Sequence, residues 1–233
     1  MSTGPSETPA GHLGHGIALM CAAMLALACM DAISKHLASQ YAVPQILAVR
    51  FWLFTVFAVL VLSRGRVRHA LRTRHLGLQI ARGLIITLEV AVFVLAFRHL
   101  PLAQAHAIAG IAPLLVTALA VVFLGERVSI RRWAAVGLGF IGLLIVVRPG
   151  FGALGPHALI PLFGALLWAV YQILVRRSSA DSAGTQMLYM ALIGAVVMGG
   201  IAPFYWKAPD ASGWCLLIAL GVGLVLGLLL GGR

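Results

Sequence analysis

Eight apolar runs, most of them close to twenty residues long, follow one another through this chain and leave only short connectors between them. A helix rises about 1.5 Å per residue, so about 20 residues cross the roughly 30 Å hydrocarbon core of a bilayer. Hydrocarbon offers backbone N–H and C=O groups no partner, so a spanning segment is either a helix or a strand of a closed barrel. Barrel strands alternate apolar and polar residues over about ten positions, and these runs show no such alternation. The chain is therefore expected to be an all-α integral membrane protein. Of its 233 residues only 10% are charged and 61% are hydrophobic, against about 25% charged in soluble domains. That is too little polar material to cover a water-facing surface.

The spans are expected at 16–37, 46–62, 78–97, 103–124, 133–147, 159–175, 186–205 and 214–230. The small, polar residues 1–14 read as a disordered cytoplasmic tail. A formal charge of +11, from 17 Lys and Arg against six Asp and Glu, invites a nucleic-acid partner. Position argues against one, because the cations sit mainly in the connectors, where they orient the chain and meet anionic lipid. Arg64, Arg66, Arg68, Arg72 and Arg74 lie between spans two and three. Arg127, Arg131 and Arg132 follow span four, and Arg176 and Arg177 follow span six. The opposite connectors carry Lys35, Arg98, Arg148 and Lys207, about one each. The cation-rich side is predicted to be cytoplasmic, which puts both termini inside the cell and the protein in the inner membrane. Cys21, Cys29 and Cys215 lie in apolar runs without metal or redox spacing and are expected to be small buried hydrophobes.

Sliding residues 16–38 forward by 141 positions lays Lys35 on Arg176, Asp31 on Gln172 and Gln45 on Gln186. A three-residue shift then lays Gly83 on Gly221. Repetition at this long period points to two related halves, 15–150 and 155–233, which the span count makes antiparallel.

Glu89 stands out among the polar residues. It lies about eleven residues into span three, near the bilayer midplane, where a carboxyl is costly and faces a cavity or a partner. It reads either as a protonatable coupling site or as a neutral group hydrogen-bonded between helices. Arg82, seven residues earlier, shares its face roughly 10 Å away, lining one polar track or snorkelling to the headgroups. Asp31 and Lys35 form an i, i+4 pair near the end of span one, with Arg50 near the same end of span two. These three fit an outer gate, an attractor for an anionic substrate, or a surface ion pair with snorkelling. Trp168 and Tyr171 share a side of span six, beside Gln172, and could stack on a planar ligand or pack between helices. Glycines at 137, 139, 142, 194, 199, 200, 221, 223 and 227 are spaced for close helix approach. His106 and His157 lack partners at metal spacing, and no HExxH, GxSxG or paired intramembrane aspartates are present, so no metal, cofactor or enzyme activity is expected.

Several stretches resemble the EamA family of the drug/metabolite transporter superfamily: DAISKHLA at 31–38, ARGLI at 81–85, the run from Ala96 to Ser129 that ends in FLGERVS, and WAVYQILVRR at 168–177. The resemblance implies a ten-span, two-repeat carrier of small metabolites or drugs with a central cavity between its halves. It also implies that Pro113 frees backbone carbonyls beside that cavity and that Glu126 organises the turn after span four. Only eight of the ten implied spans fit, so the chain is expected to be a C-terminally truncated or frame-shifted form, an incomplete ten-helix fold. The function expected is secondary transport of small molecules, exporting or exchanging them by alternating access, with the lipid bilayer and a small-molecule substrate as partners and a homodimer as a candidate assembly. The alternative is a non-transporting fragment or membrane interaction protein.

Overall fold

The computed structural model describes residues 9–62, 71–73, 75–125, 129–147, 155–178 and 181–231. Among them regular structure is entirely helical, as the apolar runs require. The helices are α1 (Pro9–Gln40), α2 (Val43–Leu62), α3 (Leu76–His99), α4 (Leu102–Ala109), α5 (Ala112–Leu124), α6 (Ile130–Val147), α7 (Leu159–Arg177), α8 (Ala183–Ile201) and α9 (Ala211–Gly231). Short 3-10 turns, Pro156–Ala158 and Ala202–Tyr205, precede α7 and follow α8. By length and composition six spans among the described residues suit a membrane crossing, with α4 and α5 counted as one span. In α6 and α9 the apolar stretches among the described residues are Trp133–Gly142 and Ala211–Leu224. Helix α1 starts at Pro9, inside the stretch expected to be a disordered tail. Glu126, and with it the turn it was expected to organise, lies outside the described residues.

The core forms where α2, α8 and α9 meet the end of α1, around Leu37, Leu47, Phe51, Leu188, Leu217 and Leu220. Large apolar side chains such as Trp52, Leu60, Leu84, Val122, Ile145 and Val196 instead face outward. Lipid makes that arrangement stable, because a helix surface in hydrocarbon gains nothing by hiding leucine. Cys21, Cys29 and Cys215 are free and exposed. This corrects their expected burial: a small thiol on an apolar face fits lipid as well as core.

The most extensive helix contacts are α2 with α8, α3 with α7 and α1 with α9. On the sequence alignment, α1, α2 and α3 correspond to α7, α8 and α9. Exchanging the two sets maps the α2–α8 contact onto itself and α3–α7 onto α9–α1. The glycines agree. A Cβ at Gly83 on α3 would meet Ile193 of α8, and one at Gly221 on α9 would meet Leu53 of α2. In each case the third helix of one set receives a side chain from the second helix of the other. At Gly137, Gly139, Gly142 and Gly200 an added Cβ would meet nothing within 4 Å, so the spacing of those glycines marks no helix contact.

Local chemistry fixes the helix ends. Gly125 ends α5 in the left-handed region, with φ of 66°, a conformation glycine adopts without steric cost. Asp210 caps α9, accepting from the Gly213 N–H at 2.9 Å and the Ser212 hydroxyl at 2.6 Å. The Tyr41 hydroxyl also donates to Asp210, at 3.1 Å, tying the α1–α2 connector to this cap. These donors, the Ser212 hydroxyl foremost, hold the Asp210 carboxyl below the usual carboxylate range. A depressed folded value stabilises the protein above the unfolded value of about 3.9 and stops doing so as pH falls through the folded value. Asp210→Asn is therefore expected to lower the melting temperature slightly at pH 7. It should also flatten the part of the melting-temperature profile below about pH 4 that this group contributes, as thermal scans from pH 3 to 7 would show.

Candidate functional site

A cavity of about 660 Å³ occupies the half of the bundle nearest the ends of α1 and α3. Its wall is mostly apolar, with Met24, Leu27, Phe93, Phe97 and a series of alanines. Into this setting five helices bring a few polar groups. Asp31 and Ser34 come from α1, Arg50 from α2, Glu89 from α3, His106 from α4 and Trp168 from α7. A largely apolar cleft with a few convergent polar groups is the usual form of a small-molecule site.

Helix α3 supplies the cavity floor because its inward positions recur every three or four residues. Gln79, Arg82, Gly83, Ile86, Thr87, Glu89, Val94 and Phe97 are all buried along it. Glu89 is 8% exposed, and among the described residues its carboxyl has no hydrogen bond to a neighbouring helix. Arg50 lies within electrostatic reach of both Glu89 and Asp31, and its buried Nε has no hydrogen-bond partner. The arrangement is two carboxylates around one guanidinium, in surroundings of low dielectric where charges act strongly.

Asp31 and Lys35 share a helix turn but serve different partners. Asp31 Oδ2 stands 3.0 Å from His106 Nε2. Lys35 donates to the Phe97 carbonyl at 3.1 Å and the Leu100 carbonyl at 2.7 Å. Carbonyls at a helix C-terminus lack intrahelical partners and carry its negative dipole end, which favours a cation. Lys35 thus ties α1 to the end of α3. His106 is the cavity residue that sequence reasoning left without a partner, because Asp31 lies on another helix far away in sequence.

Arg82 is placed apart from the cavity. It donates to the Gln186 side-chain oxygen at 2.9 Å and to the Gln186 carbonyl at 2.6 Å, linking α3 to α8. Its guanidinium carbon lies 5.8 Å from the Tyr171 ring centre. Gln79 and Thr73 both donate to Asp181 Oδ2 at 2.7 Å, and the Tyr189 hydroxyl donates to the Leu71 carbonyl at 3.0 Å. This polar cluster closes the bundle on the far side of Glu89. Trp168 and Tyr171 are neighbours, with ring centres 5.5 Å apart, yet only Trp168 reaches the cavity while Tyr171 covers Arg82. Gln172 is half-buried on α7 and forms no part of the wall. His157 stacks on His99 at 4.6 Å, away from the cavity.

Pro113 sits at the start of α5, just after the Gly110–Ile111 break that divides the span into α4 and α5. It has no N–H to offer the carbonyl four residues back, that of Ala109. Ala109 and Ala112, on either side of the break, both line the cavity. Among the described residues no group of three or more His, Cys, Asp or Glu could hold a metal ion.

Residues 14–148 match the model of the EamA-like transporter family. A riboflavin transporter of Brucella anthropi is 29% identical over 212 residues, covering 87% of this chain and 74% of the relative. An S-adenosylmethionine uptake transporter of Rickettsia felis is 27% identical over 207 residues, 88% of this chain and 70% of the relative. The pseudopaline exporter CntI of Pseudomonas aeruginosa is 24% identical over 220 residues, 92% and 76%. A solved crystal structure at 18% identity covers 92% of this chain and 78% of its own, with a TM-score of 0.65, and shares the fold.

Proposed function

The chain belongs to the EamA-like transporter family and is a multi-pass membrane transporter of small metabolites, and from that premise we propose that the cavity between α1, α2, α3, α4 and α7 is its substrate site. The observation that carries this reading is the convergence of Asp31, Arg50, Glu89, His106 and Trp168 from five helices on one otherwise apolar cavity. The two halves, 15–150 and 155–233, act as antiparallel repeats that rock on one another. The exchangeable contacts α3–α7 and α9–α1 support that division. The partly buried cluster of Gln79, Arg82, Asp181 and Gln186 is the closed gate in this conformation.

The distribution of cations among the connectors supports an inner-membrane protein with a cytoplasmic N-terminus. On that orientation the cavity lies in the outer half of the membrane. Relatives named for riboflavin and for S-adenosylmethionine favour a substrate with a flat nitrogen heterocycle, and Trp168, Phe93 and Phe97 supply aromatic faces for one.

The test is counterflow into proteoliposomes preloaded with unlabelled riboflavin or S-adenosylmethionine. Labelled solute is expected to accumulate at least about fivefold above protein-free vesicles, and Trp168→Ala should raise the half-saturating concentration about tenfold, the worth of one stacking contact. Absence of counterflow with either solute, and with a wider set of metabolites, would favour a non-transporting interaction protein.

A further inference from the structure

Asp31 and His106 face each other at the cavity wall, one from α1 and one from α4. Both are reachable from the cavity, with side-chain exposures of 34% for Asp31 and 52% for His106. Only Oδ2 of Asp31 meets the imidazole; Oδ1 has no hydrogen-bond partner among the described residues. Asp31 is the carboxylate in contact with the imidazole, and the one guanidinium near it, that of Arg50, is shared with Glu89. The surroundings suit an organic cation. The Phe93 and Phe97 ring centres lie 6.1 and 5.6 Å from that of His106, and Trp168 lines the same cavity; aromatic faces attract cations.

We propose that Asp31 is the recognition point for an organic cation carried by this protein, and that His106 positions it and exchanges a proton for that cation. The proposal rests on the cavity being the substrate site. Imidazole is the side chain whose charge ordinarily changes between about pH 5 and 8. At low pH the imidazolium is the counter-charge to Asp31. Entry of a monocation then releases one proton from the imidazolium to water in the cavity, and the cation takes over as counter-charge. One positive charge enters and one leaves, so Asp31 has a counter-charge both before and after the exchange. The other charged groups around His106 are Lys35 on α1, Arg50 on α2 and Glu89 on α3. Lys35 is engaged by the Phe97 and Leu100 carbonyls. Helix α7 presents Ala165 and Trp168 to the cavity, neither of which titrates, and α6 packs on α4 without contributing to the wall.

The test is equilibrium binding of labelled tetraphenylphosphonium, a cation with no proton of its own, to the full chain in nanodiscs from pH 5 to 8. The apparent Kd is expected to rise about tenfold for each pH unit on the acid side, as one proton released per cation requires. Asp31→Asn should weaken binding at least thirtyfold at pH 8. His106→Gln, a change at a half-exposed side chain that leaves folding intact, should reduce the slope of log Kd against pH from about one to near zero. Undiminished binding in Asp31→Asn, or an unchanged slope in His106→Gln, overturns the proposal. If the cation does not bind while another solute still drives counterflow, the proposal falls and the transport reading stands. If there is neither binding nor counterflow, both fall.

Discussion

Glu89→Gln is expected to cut substrate counterflow at least tenfold while leaving the protein folded and monodisperse. Glutamine keeps the shape of the side chain and removes its charge. In the wild type Glu89 and Asp31 together face Arg50, whose Nε is buried without a hydrogen-bond partner. Removing one partner of a buried charge pair commonly costs about 3–5 kcal/mol, because the remaining charge is left in a medium that solvates it poorly. Even a third of that cost, about 1.4 kcal/mol, is tenfold in an equilibrium constant. Arg50 is then expected to draw on Asp31 alone, which takes that carboxylate away from the substrate. Counterflow in proteoliposomes at matched protein density, across pH 5.5 to 8, is the measurement. Wild-type flux with unchanged pH dependence in Glu89→Gln would return Glu89 to a neutral packing group. An Arg50→Met, Glu89→Gln double variant checks the cause: if the loss comes from the stranded guanidinium, the second substitution should cost much less than the first.

What could be read from the sequence, and what could not, divides along one physical line. A charge within an apolar run is conspicuous in one dimension, because lipid tolerates it only with a reason. Glu89, Arg50 and Asp31 were therefore visible, and the cavity gathers all three. Partnerships between helices leave no trace in spacing. Asp31 and Lys35 satisfy the i, i+4 rule, yet the unpaired carbonyls of Phe97 and Leu100 hold the ammonium and His106 meets the carboxylate. Arg82 shares a helix face with Glu89 by count, but the Gln186 amide and the Tyr171 ring make it part of the closed end. The spans followed from hydropathy, although α1 begins at Pro9, well before the expected start at 16. The division of span four into α4 and α5 was marked only by Pro113 and the glycine before it.

Glycine spacing misled in an instructive way, and it leads to the largest structural effect expected. Gly194 and Gly200 both lie on α8, six residues apart, and by spacing either could seat a neighbouring helix. At Gly194 an added Cβ would collide with the Phe51 ring of α2, at the most extensive helix contact in the bundle, whereas at Gly200 it would meet nothing within 4 Å. Gly194→Leu is expected to abolish recovery of monodisperse protein. Overpacking of a core ordinarily costs about 1–3 kcal/mol, and here the side chain has to be inserted where two helices already touch. Gly200→Leu should leave size-exclusion profile and melting temperature unchanged. The paired glycines extend the argument to the whole fold. Gly83 receives Ile193, and Gly221 receives Leu53, so Gly83→Val and Gly221→Val strike corresponding points of the two proposed halves. Equal drops in melting temperature, of several degrees each, would mean that both interfaces carry comparable load, as antiparallel repeats rocking on a shared α2–α8 contact require. A drop confined to Gly83→Val would put the stability of the bundle in α3 and its polar cluster, and α9 would then be a helix that leans on the fold without holding it.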